Sequence, residues 1–106
     1  MDNRNINRAL SMIGLAKKAG RLVSGAPIVI DAMRSGKVTL AVYAARASQN
    51  SVKRVTDKAK TYETIALPLD VTPEELGHSV GKVGAVSAVG ITDKGFADAI
   101  KKILSE

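Results

Sequence analysis

The sequence predicts an α/β protein, a three-layer α/β/α sandwich with about five helices, on three observations. Apolar residues recur at helical spacing in several stretches, and those stretches alternate with short β-like runs. One run, residues 38–44 (Val-Thr-Leu-Ala-Val-Tyr-Ala), is apolar on both of its faces. Such a strand is buried on both sides, so helices must lie above and below the sheet. With 106 residues and 45% hydrophobic content, the chain is expected to form a single domain over residues 1–106. No internal repeat, linker or low-complexity segment divides it.

Taken in order, Asn3 or Asn5 is the expected cap of a first helix whose apolar side is Ile6, Ala9, Leu10, Ile13 and Ala16. Gly20 ends that helix, and Leu22 and Val23 make a short strand. Pro27 suits the first turn of a second helix over residues 27–35, which stops at Gly36. After the strand at 38–44, Ser48 caps a third helix with Val52, Val55, Ala59 and Tyr62 inward and Lys53, Arg54, Lys58 and Lys60 on a solvated face. Residues 64–67 read as another strand, with Ile65 and Leu67 on one side. Thr72-Pro73-Glu74-Glu75 is a helix start in which Thr72 caps, Pro73 takes the first position and Glu75 bonds back to the cap. Residues 85–91 alternate as a final strand, and Thr92-Asp93 caps a last helix with Phe96, Ile100, Ile103 and Leu104 inward.

The net charge is +6 and favours a polyanionic partner. It is concentrated at the front: residues 1–70 carry 12 Lys and Arg against 5 Asp and Glu, and residues 71–106 carry 4 against 5. The chain has no Cys, which excludes disulfides and thiolate metal sites. No apolar run is long enough to span a bilayer and no leader pattern opens the chain, so a cytoplasmic location with no membrane partner is the expectation.

Enzymatic chemistry finds no support. The lone His78 has no evident partner, no nucleophile has a base, and the carboxylates sit at helix starts, where they complement the dipole. The stretch from Gly77 to Gly84 resembles a phosphate loop only superficially: three residues lie between its first glycines instead of four, and no Ser or Thr follows Lys82. No cofactor and no metal is expected. Base stacking is also disfavoured, because Phe96, Tyr43 and Tyr62 all fall at core-like positions. What remains is a helix entry at Ser24-Gly25-Ala26-Pro27-Ile28, where unpaired backbone N–H groups and the positive dipole end suit phosphates or base edges. Lys17, Lys18, Arg21 and Arg34 are expected to surround it.

Several ordered motifs carry a family resemblance: Ile13-Gly14-Leu15-Ala16-Lys17-Lys18-Ala19-Gly20-Arg21-Leu22-Val23-Ser24-Gly25, Arg34-Ser35-Gly36-Lys37, Glu75-Leu76-Gly77, and Val89-Gly90-Ile91-Thr92-Asp93-Lys94-Gly95-Phe96-Ala97. Over nearly the whole chain the sequence resembles the kink-turn-binding ribosomal proteins of the L-seven-Ae and L-thirty-e type, and within them the small bacterial YlxQ-like branch. The resemblance implies a four-stranded mixed sheet and binding to a sharply bent RNA with tandem sheared G·A pairs, in an rRNA or an mRNA leader. It implies a site made of Ser24, Gly25, Ala26, Pro27 and Ile28 together with Lys82, Val83, Gly84, Ala85 and Val86. Phosphate contacts are expected from Lys17, Lys18, Arg21, Arg34, Lys37, Arg46 and Lys82.

The departures from the family pattern fall mainly in and near the first of these segments. Pro27 and Ile28 replace an Asn and a Glu that read guanine edges, Asp31 replaces a phosphate-contacting Lys, and Arg46 replaces an acidic residue and adds positive charge. A monomer binding structured RNA with altered base specificity is the expected function. A protein-interaction module that kept the fold and lost RNA is the alternative.

Overall fold

The computed structural model describes residues 2–106. Its elements run α1 (Asn3–Lys18), β1 (Leu22–Ser24), α2 (Ala26–Arg34), β2 (Leu40–Ala44), α3 (Gln49–Thr61), β3 (Ala66–Leu69), α4 (Pro73–Ser79), β4 (Ala88–Ile91) and α5 (Lys94–Ser105). The sheet order is β1-β4-β2-β3. β4 pairs antiparallel with β1 and with β2, while β2 and β3 are parallel, so the sheet is mixed as the resemblance implies.

Adjacent side chains on a strand point to opposite faces, and the sheet uses this to divide two cores. Leu40, Val42, Val89 and Ile91 face a cluster with Ile13 of α1, Leu76 of α4 and Ile100 of α5. Ala41 and Ala88 face the other cluster, with Val29 and Met33 of α2 and Val55 and Ala59 of α3. Gly90 lies on that second side, where a Cβ would come within 3.1–3.3 Å of Val38, Val23 and Val29. Helices therefore cover both faces, and β4, buried along its whole length, is as central as β2.

Several boundaries differ from expectation for identifiable reasons. Asp2 caps α1, its carboxylate accepting the Asn5 N–H at 3.0 Å, and Asn3 and Asn5 lie inside the helix. Both central strands begin later than their apolar runs, at Leu40 and Ala88. β3 is shifted toward the C-terminus by two residues: parallel pairing runs from Ala41 opposite Ala66 to Ala44 opposite Leu69, which buries Leu69 and leaves Ile65 51% exposed. Pro68 fits this strand because β3 is an edge, where a residue without an N–H breaks no ladder. The caps at Ser48, Thr72 and Asp93 are as expected. Among the described residues no helix is long and apolar enough to cross a membrane.

Candidate nucleic-acid interface

The parallel sense of β1, β2 and β3 brings their exits to one end of the sheet, where β4 enters. There the Gly25 N–H donates to the Ala88 carbonyl at 2.9 Å and the Ala44 N–H to the Ser87 carbonyl at 2.9 Å. The β1–α2 turn and the approach to β4 are thus joined through the backbone. Residues 81–85 stand out in solvent, and Val83 is completely exposed. The base of this loop is pinned by Val86, which is buried and whose N–H donates to the Pro73 carbonyl at 2.9 Å.

Four helices start with a side-chain cap, from Asp2, Ser48, Thr72 and Asp93, and α2 starts without one. Its N-cap is Gly25 at φ 97° and ψ 131°, a conformation that L side chains rarely adopt. The Gly25 carbonyl accepts the Val29 N–H at 2.9 Å. The N–H groups of Ala26 and Ile28 have no hydrogen-bond partner among the described residues, and Pro27 has no N–H. Pro27 and Ile28 are exposed, and Ile28 is 56% accessible. The turn therefore offers two free donors and a positive dipole end beside a protruding loop. Ser24, Ala26 and Val86 are buried, so their side chains add no contact surface there.

The structure corrects the expected ring of cations. Arg21 lies at the start of β1, its carbonyl accepting the Thr92 N–H at 3.0 Å, and so at the sheet end opposite Gly25. Arg34 closes α2, roughly 13 Å along the helix from its first turn. Lys37 follows in the turn toward β2, also at the far end. Lys17 and Lys18 line a groove of about 640 Å³ between α1 and α4, together with His78 and Gly81. Lys82, next to Gly81, is the cation of the protruding loop.

Two of the expected phosphate contacts are already engaged. Arg46 lies at the near end but grips both carboxylate oxygens of Asp70, at 2.8 and 3.4 Å. That hydrogen bond holds the Asp70 carboxyl below the usual carboxylate range and offsets the added charge. Arg34 pairs with Asp31 at 2.9 Å and donates to the Tyr62 hydroxyl at 3.1 Å, which lowers the Tyr62 pKa. Asp31 is in this way turned toward its own helix end. Its spacing of three from Arg34 makes that pair legible in the sequence, whereas nothing local marks the Arg46–Asp70 pair.

Fold and site together define a small α/β/α binding domain whose distinctive surface is helix-end backbone and loop rather than an enclosed pocket of reactive groups. The chain belongs to the ribosomal protein L7Ae/L30e/S12e/Gadd45 family, whose profile matches residues 7–101. It is 35% identical to the RNA-binding protein YlxQ of Enterococcus faecium over 104 residues, 98% of each chain. It is 36% identical to the RNA-binding protein YlxQ of Bacillus subtilis (strain 168) over 93 residues, 88% of this chain and 91% of that one. Among solved structures, a Bacillus halodurans protein of unknown function superposes with a TM-score of 0.83 at 28% identity, covering 92% of this chain and 97% of the other.

Proposed function

We propose that the protein is a non-enzymatic, cytoplasmic, monomeric binder of structured RNA, associated with translation, and that it grips a kink-turn-like bend. Contact runs through the first turn of α2 and the loop at residues 82–86. The observation that carries this reading is the side-chain-free start of α2, with the Ala26 and Ile28 N–H groups open, joined by the Gly25–Ala88 hydrogen bond to the strand that the loop enters. Backbone donors at a helix end accept phosphate or base-edge acceptors without a dedicated side chain, which suits a turn that has lost its Asn and Glu. The RNA-binding names of the Enterococcus and Bacillus relatives support the same partner class.

One observation favours the alternative of a protein-interaction module: Ile28 and Val83 place apolar side chains on the surface at the α2 turn and the protruding loop. A titration against a kink-turn RNA, and against the same duplex with its G·A pairs replaced by Watson–Crick pairs, at two salt concentrations, separates the readings. The expected result is a preference for the kinked RNA that persists at the higher salt. Equal and steeply salt-dependent binding to both would mean a generic basic grip. No binding to either would make a protein partner the leading reading.

A further inference from the structure

We propose that the end of the sheet opposite the α2 N-terminus is a second contact surface, fitted to the phosphate ridges of an A-form RNA duplex. The fold gathers there five exposed cations from separate elements: Lys17 and Lys18 at the end of α1, Arg21 at the start of β1, Lys37 before β2 and Lys94 at the start of α5. None of the five is in an ion pair among the described residues, whose four salt bridges use Arg8, Arg34, Arg46 and Lys53. The acidic groups at this end are Asp93, whose carboxylate accepts the Phe96 N–H at 2.9 Å, Glu63 beside β3, and Asp31, which is paired with Arg34 at 2.9 Å; Glu75 lines the groove that Lys17 and Lys18 share with α4. The positive charge is therefore in excess there.

The register sets the spacing of these cations. Leu22 and Leu40 both stand opposite Ile91, so the chains just before them flank the end of β4 at two strand spacings, about 10 Å apart. Arg21, with Lys17 and Lys18, lies on one side and Lys37 on the other. Two separated groups of cations suit the two phosphate ridges beside the wide, shallow groove of an A-form helix. A single strand held by stacking is disfavoured, because Tyr62 is half-buried and tied to Arg34. A membrane surface is disfavoured as well, since the cations come from helix ends, a strand start and a turn, with no amphipathic helix lying flat to carry them. This surface stands independently of the α2 site, and a protein using both would hold two RNA segments at once.

The test is the salt dependence of binding to a plain, fully paired RNA duplex, comparing wild type with a Lys18→Gln/Arg21→Gln/Lys37→Gln variant. All three side chains are exposed, and thermal melting checks that the variant is folded. The expected result is that the slope of log affinity against log salt becomes shallower by about three, at roughly 0.9 for each phosphate that no longer has a cation beside it. A Lys18→Arg/Lys37→Arg variant should keep the wild-type slope. An unchanged slope in the Gln variant overturns the proposal, as does equal loss of binding to phosphatidylserine vesicles, which would make the partner a membrane. The kinked RNA, run in parallel, keeps the two questions apart: loss of preference for the bend with the duplex result intact would sink the α2 reading alone.

Discussion

At Pro27 the first turn of α2 has no backbone donor to present, and Ile28 beside it carries a side chain that cannot accept from a base. Both residues are exposed, and neither is needed to hold the fold. Introducing the Asn and Glu that the resemblance implies for this turn, as Pro27→Asn/Ile28→Glu, is therefore a clean test. The Glu would sit at the third helical position, where its charge complements the dipole, so stability should not fall. A regained base contact is worth about 1–3 kcal/mol of discrimination, so the preference for kinked over plain RNA should rise about tenfold or more. An unchanged ratio of affinities would remove this turn from base contact. Gly25 is a poorer test, because its positive φ means that any side chain there strains the turn as well as blocking it. The Thr72 cap and the Asp31–Arg34 pair are legible in the sequence because their geometry is local. The pairing of Arg46 with Asp70 is not, since the two are 24 residues apart and meet only through strand pairing.

Among the elements, α4 is the one that sets the loop at residues 81–87. It is short and starts with a reciprocal cap, the Thr72 hydroxyl accepting the Glu75 N–H at 3.1 Å and the Glu75 carboxylate accepting the Thr72 N–H at 3.0 Å. Gly77 then lets the loop return along the helix, for a Cβ there would overlap the Gly84 carbonyl. Gly77→Ala should displace the loop or cost roughly 1–3 kcal/mol of stability, read by urea unfolding, and should weaken RNA binding without a change at α2. Thr72→Ala should cost about 0.5–2 kcal/mol. The Thr72 backbone N–H, first among its partners, holds the Glu75 carboxyl below its usual range. Its contribution to stability is therefore present above the unfolded value and lost as pH falls through the lower folded one. Glu75→Gln should remove that part of the acid sensitivity. The helices are legible because caps and periodicity are written along them. β3 lies two residues beyond its apolar run because its register is set by β2, and its Pro68 is acceptable only at an edge.

On the scale of the molecule, periodicity dictates the layers but not the strand order, and the order decides which cations meet. Arg21 and Lys37 are near the expected site along the chain and at the other end of the sheet in space, because β1 lies between Arg21 and Gly25 and α2 runs back along the sheet before Lys37, and both flank the end of β4 through its antiparallel pairing. The same order links the two cores. Leu40 and Ala41 are neighbours on one strand and face opposite clusters, as do Ala88 and Val89, so neither helical layer can detach without stripping one face of a shared sheet. For 106 residues the total stability is about 5–15 kcal/mol, too little to divide between two independently folding layers. One cooperative transition is therefore expected. Leu40→Ala on the α1 and α5 side and Met33→Ala on the α2 and α3 side should each cost about 2–5 kcal/mol, and each should lower the midpoint by on the order of 10 °C or more. Tyrosine fluorescence, reporting Tyr43 and Tyr62 on the α2 and α3 side, and far-UV circular dichroism, reporting every helix, should shift together in both variants. Separate midpoints in either variant would show that the sheet does not couple its two faces. The α2 turn and the far-end cations would then sit on surfaces free to move relative to one another.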